Sequence, residues 1–112
     1  MLLNKKIKSN ILSKTVDADN RKIGIELECF IYNKYCKRIP VNQSNEYSAI
    51  DLLNELNKNV NNNGYFSLEP GGQIEWSSPP FREIKNLEIS LLSYKKLLDK
   101  ILKKRDLKSL YI

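Results

Sequence analysis

Apolar and polar positions change period along this chain, and the changes mark its elements. Over residues 4–16, Ile7, Ile11 and Leu12 fall on one side of a helical wheel, which predicts a short basic helix, and Asp17-Ala18-Asp19-Asn20 breaks it. From Lys22 the period drops to two. Ile23, Ile25, Leu27, Cys29 and Ile31 alternate with Gly24, Glu26, Glu28 and Phe30, the pattern of a strand with two carboxylates on one face.

After a polar stretch with Pro40 and Asn42 to Asn45, Ser48 is placed to cap a helix, with Asp51 three residues on in the manner of a capping box. Ala49, Leu52, Leu53, Leu56 and Val60 recur at helical spacing, and the Asn-rich run from Asn59 to Asn63 with Gly64 stops them. Period two then resumes: Phe66, Leu68, Ile74 and Trp76 are apolar, while Ser67, Glu69, Gln73, Glu75 and Ser77 are polar. Pro70-Gly71-Gly72 sits between the two halves. Either it closes a tight hairpin with Glu69 opposite Gln73, or the Gly pair is a bulge in one bent strand. Pro79-Pro80 ends this region and opens a long helix, in which Ile84, Leu87, Leu91, Tyr94, Leu98 and Ile101 repeat at steps of three and four. Leu92, Leu97 and Leu102 widen that stripe beyond a coiled-coil seam, so the helix is expected to pack on a sheet. The predicted class is α+β, an antiparallel sheet flanked by helices.

Composition narrows the chemistry. The chain has 112 residues, two cysteines and no histidine, so neither a zinc site of Cys and His ligands nor a hydrolase triad can be assembled from it. Cys29 falls on the apolar side of its strand and is expected to be a buried free thiol rather than half of a disulfide with Cys36. No apolar run is long enough to span a membrane, and the start lacks the order of a signal peptide, so a cytoplasmic location is expected.

The net charge of +6 suggests nucleic acid until its distribution is followed. Residues 1–22 carry six Lys/Arg against two Asp, and residues 94–112 seven against two. Residues 23–93 carry six against nine acidic residues. The patterned middle is therefore acidic, which argues against a nucleic-acid interface.

Glu26, Glu28, Glu69 and Glu75, with the amide of Gln73, all stand on polar faces of strand segments. Carboxylates two apart on a strand are about 6.6 Å apart and repel by about 2.5 kcal/mol at an effective dielectric near 20. A solvated sheet face is the ordinary explanation of Glu-x-Glu. Against it, no Lys, Arg or Thr stands between the carboxylates, and Glu69 runs straight into Pro-Gly-Gly, where backbone approaches a ligand closely. Mg²⁺ or Mn²⁺ would offset the repulsion with oxygen ligands alone. The Gly pair carries no nucleotide-binding glycine pattern.

Ile23-Gly24-Ile25-Glu26-Leu27-Glu28-Cys29-Phe30 resembles the opening G-x-E-x-E-x-F strand of carboxylate-amine ligases. Ser67-Leu68-Glu69-Pro70-Gly71-Gly72-Gln73-Ile74-Glu75 resembles the S-L-E-P-G-G-Q-x-E signature of plant and proteobacterial glutamate-cysteine ligases, and Ser-Ser-Pro-Pro and a long helix follow as in that family. The resemblance implies part of a glutamine synthetase-like catalytic domain over residues 22–112, preceded by a basic segment over residues 1–21. It implies ATP-dependent joining of glutamate to cysteine, the first step of glutathione biosynthesis, through a γ-glutamyl phosphate. By the same resemblance Glu26, Glu28, Glu69 and Glu75 match metal ligands for Mg²⁺ or Mn²⁺, and Gln73 matches an amide beside the metal-nucleotide site.

Two departures accompany it. Trp76 stands where the pattern has a smaller apolar residue. Family members also continue well past this length, with the basic residues that hold ATP phosphates and the glutamate α-carboxylate; here Arg21, Arg38 and Arg82 lie near the patterned region without a motif placing them. A fragment inactive alone is expected, completed by a C-terminal segment or by self-association. A related ligase with another amine acceptor and a noncatalytic module keeping the metal half-site are the alternatives.

Overall fold

The computed structural model describes residues 2–112. Four strands, β1 (Glu26–Tyr32), β2 (Tyr65–Leu68), β3 (Ile74–Ser77) and β4 (Lys108–Tyr111), form one antiparallel sheet in the order β2-β3-β1-β4. Helices α2 (Ala49–Asn59) and α3 (Ile84–Lys103) supply Leu52, Leu56, Tyr94, Leu98, Ile101 and Leu102 to a core with Cys29, Ile31, Phe66, Ile74 and Trp76 of the sheet. The α+β class holds, with a refinement. These core residues of the sheet share one face, which both helices cover, and the other face is the one bearing the carboxylates.

The first helix, α1 (Leu2–Leu12), ends before the predicted residue 16, and a short 3₁₀ turn over Ala18–Asn20 follows. Ile7, Ile11 and Leu12 are all exposed, so their apolar spacing makes a helix side that rests on nothing.

Helix α2 starts as the sequence requires. Ser48 Oγ accepts from the Asp51 amide at 3.2 Å, and Asp51 Oδ2 accepts from the Ser48 amide at 2.9 Å, closing the capping box. The Ser48 hydroxyl also donates to Asp51 Oδ2 at 2.7 Å, and this bond, together with that from the Ser48 amide, holds the Asp51 carboxyl below its ordinary pKa. Since Ser48 is fully buried, Ser48→Ala should lower stability by about 1–2 kcal/mol, read as a shift of the urea midpoint at unchanged slope. At the other end Asn61, Asn62 and Gly64 have positive φ. A Cβ on Gly64 would collide with the Ser77 carbonyl, so this return to the sheet requires glycine.

Glu69 N donates to Gln73 O at 2.9 Å, and Gly72 N donates to Glu69 O at 2.8 Å, with Gly72 at φ 85°. This is a three-residue hairpin loop whose last residue is left-handed. Pro-Gly-Gly therefore reverses the chain, and the single bent strand is excluded by the antiparallel pairing of β2 with β3.

Trp76 is accommodated by the core. It is fully buried, stacks on Tyr94 with ring centroids 4.6 Å apart, and donates from Nε1 to the Asn63 carbonyl at 2.8 Å. Cys29 and Cys36 are both free, and burial pushes the Cys29 thiol up to about 11, so it stays protonated and unreactive at neutral pH.

In α3, Leu87, Tyr94, Leu98, Ile101 and Leu102 are buried as the spacing requires. Ile84 and Leu92 are not: both point to solvent, and Ser90 takes a buried position instead, its hydroxyl donating to Asn63 Oδ1. The helix ends with Leu107 N donating to Leu102 O at 3.1 Å around Asp106 at φ 53°. That six-to-one bond turns the chain back to add β4 beside β1.

Candidate functional site

The sheet register sets the site. On the face away from the helices, Glu28 lies directly opposite Glu75, and Glu75 opposite Ser67. One step along, Glu26 faces Ser77, which faces Tyr65. One step the other way, the Glu69–Gln73 pair closes the hairpin, and Phe30 faces Leu110 of β4. All five residues singled out in the sequence therefore share one face, because each is an even number of strand positions from the next across an unbroken antiparallel ladder.

Glu28 and Glu75 form the sharpest feature. Directly opposed residues have Cβ atoms about 4.5–5.5 Å apart, and like charges there are destabilising. Both side chains are half-buried. Glu75 Oε1 accepts from Ser67 Oγ at 3.4 Å and Ser77 Oγ at 3.2 Å, which orients the carboxylate without neutralising it. Among the described residues the ion pair found is Arg105 with Glu55 at 2.9 Å, on the helix side, so no protein cation is bound to Glu26, Glu28, Glu69 or Glu75.

Gln73 adds a second feature to this face. Its Oε1 is a buried side-chain oxygen without a hydrogen-bond partner, tucked against Gly71. An unpaired buried acceptor costs about 1–3 kcal/mol unless a donor or cation reaches it.

As a metal centre the donor set fits in kind: four carboxylates and an amide oxygen suit a hard divalent cation. It does not converge. Among the described residues no group of three or more acidic, Cys or His side chains is gathered closely enough to hold an ion. The carboxylates stand in rows, so holding Mg²⁺ or Mn²⁺ requires side-chain rotation or further ligands.

Arg38 belongs to the same surface, though no sequence motif marks it. Its backbone bridges Tyr32, whose side chain is on the carboxylate face, and its guanidinium carbon lies 4.0 Å over the Phe30 ring. Nη2 donates to the Gly71 carbonyl of the hairpin. A Cβ on Gly72 would come within 2.8 Å of Nη2 and 2.7 Å of Val41 Cγ2, so this second glycine is what lets Arg38 reach the loop. A separate cleft of about 700 Å³, lined by Lys34, Asp99, Lys103, Asp106 and Lys108 at the end of α3, contains none of the strand carboxylates.

No described helix is long and apolar enough to cross a membrane. Comparison with curated proteins and with solved structures gives no match. Residues 22–111, which contain the whole sheet, both packed helices and every residue of the carboxylate face, match the model of Glutamate-cysteine ligase family 2 (GCS2). The chain belongs to that family.

Proposed function

We propose that this chain supplies the metal-binding wall of an ATP-dependent ligase that joins the γ-carboxylate of glutamate to the amine of cysteine. The observation that carries the reading is the opposed Glu28–Glu75 pair, half-buried and without a protein cation, on the same face as Glu26, Glu69 and Gln73. Family membership supplies the reaction class.

In this reading Glu26, Glu28, Glu69 and Glu75 would hold Mg²⁺ or Mn²⁺, with Gln73 Oε1 beside the nucleotide. Such an ion would supply charge neutralisation at phosphate oxygens during phosphoryl transfer. The chain's own residues set geometry. Ser67 and Ser77 fix the Glu75 carboxylate, the hairpin fixes Glu69 against Gln73, and the packed core under the sheet keeps the rows rigid. Among the described residues the register puts Arg38 and Lys108, both opposite Tyr32, on this face, whereas ATP phosphates and the glutamate α-carboxylate together call for several cations. A further segment, either elsewhere in a longer chain or in a second polypeptide, therefore completes the site. The intracellular supply of ATP, glutamate and cysteine makes a cytoplasmic location part of the same proposal.

The test separates a binding face from a merely solvated one by the sign of two effects. Replacing both opposed carboxylates, Glu28→Gln with Glu75→Gln, removes a repulsion, so the metal-free double variant should be at least as stable to heat as wild type. It should also bind Mn²⁺ about tenfold or more weakly in a calorimetric titration, because two ligand charges are gone. Equal Mn²⁺ affinity in the two proteins would sink the assignment.

A further inference from the structure

We propose that Arg38 is the oxyanion-holding group of this face, presenting a guanidinium to a phosphoryl or carboxylate group that arrives with the metal; the inference rests on the metal-binding reading above. Three features of its placement support this. Arg38 is exposed, and its side chain is held by stacking on Phe30 and by the bond from Nη2 to the Gly71 carbonyl, which lowers the entropy cost of ordering it on a ligand. Among the described residues its charge is not used in an ion pair, although four carboxylates share its face. Phe30 stands two residues beyond Glu28 on β1, about 6.6 Å away, which puts the cation in the row next to the Glu28–Glu75 pair.

An arginine whose only task was to neutralise the face would lie on a carboxylate. Arg38 lies on an aromatic ring and a backbone carbonyl, contacts that hold its position while leaving its charge uncompensated. Arginine's planar fork of donors suits phosphate or carboxylate oxygens in a two-pronged arrangement. The surrounding carboxylates repel an anion when no metal is present, so anion binding at Arg38 should require the cation. The same Nη2 contact ties the hairpin down, which gives a competing structural role that the experiment must separate.

The 112-residue chain is titrated with Mn²⁺ alone, and then, at saturating Mn²⁺, with a non-hydrolysable ATP analogue or with glutamate, using wild type, Arg38→Ala and Arg38→Lys. The expected result is Mn²⁺ affinity within about twofold of wild type for both variants. Binding of one of the two anions should weaken about tenfold or more in Arg38→Ala and by less in Arg38→Lys, since a lysine keeps the charge and loses the fork. The anion that weakens identifies the source of the oxyanion, and chelating the Mn²⁺ should abolish binding of that anion. Parallel loss of Mn²⁺ and anion affinity would make Arg38 a structural clamp of the hairpin and overturn the proposal. Unchanged anion affinity in Arg38→Ala, or no binding of either anion by Mn²⁺-loaded wild type, would overturn it while leaving the metal reading standing. Absence of Mn²⁺ binding by wild type would refute the metal reading and take this inference with it.

Discussion

Purified alone, the 112-residue chain should form no measurable ADP in the presence of ATP, Mg²⁺, glutamate and cysteine. Phosphoryl transfer needs nucleotide, metal and carboxylate held together, and a misplacement of about 1 Å costs on the order of a hundredfold in rate. Here the carboxylates lie in rows on an open sheet face and do not converge. Supplying the complementary segment of a family member, fused after Ile112 or added in trans, should restore cysteine-dependent turnover. In the restored enzyme Glu69→Gln should reduce turnover by about a hundredfold or more, because backbone bonds to Gln73 and Gly72 anchor Glu69 at the hairpin and the neutral amide removes a ligand charge there. Robust turnover by the chain alone would refute the incomplete-site reading. Restored turnover that survives Glu69→Gln would refute the role of that carboxylate.

The largest stability effect is expected at Trp76. Truncating a fully buried tryptophan costs about 3–5 kcal/mol in transfer and cavity terms. Here the stack on Tyr94 is lost as well, and the Asn63 carbonyl loses its donor. Domains of this size hold about 5–15 kcal/mol in all, so Trp76→Ala should be largely unfolded or close to its midpoint without denaturant. Trp76 is the chain's one tryptophan, so unfolding has to be followed by far-ultraviolet circular dichroism rather than by indole fluorescence. Trp76→Phe keeps most of the volume and should fold with a smaller loss. A Trp76→Ala midpoint within about 1 kcal/mol of wild type would show that the Trp76–Tyr94 stack does not organise this core.

Elements that announce themselves locally were legible in the sequence. Ser48 and Asp51 define the start of α2 through their own hydrogen bonds, and Gly64 and Gly72 mark the places where no side chain fits. The alternation from Ile23 to Ile31 predicts which residues face the core, and with the hairpin it puts Glu26, Glu28, Glu69, Gln73 and Glu75 on one face. Strand β4 was not legible, because Lys-Ser-Leu-Tyr carries no apolar alternation and forms by pairing with a distant strand. The outer side of α3 misled for a related reason: Leu92 has the right spacing for a broad stripe, yet the buried position went to Ser90, whose partner Asn63 lies in another segment. The place of Arg38 on this face was not legible because an aromatic ring and a backbone carbonyl hold it, and neither contact leaves a motif.

The pairing of β1 with β4 also sets an order of events. Cys29 stands opposite Tyr111, and Phe30 opposite Leu110, so one flank of β1 remains open while nearly all the intervening chain is being synthesised. The β2–β3 hairpin and α2 draw on neighbours close in sequence and can form early, whereas β1 must wait for a partner far along the chain. During that interval β1 has an unpaired edge along Cys29–Tyr32, and the charges of Glu26 and Glu28 just before that stretch should discourage it from pairing with another nascent chain.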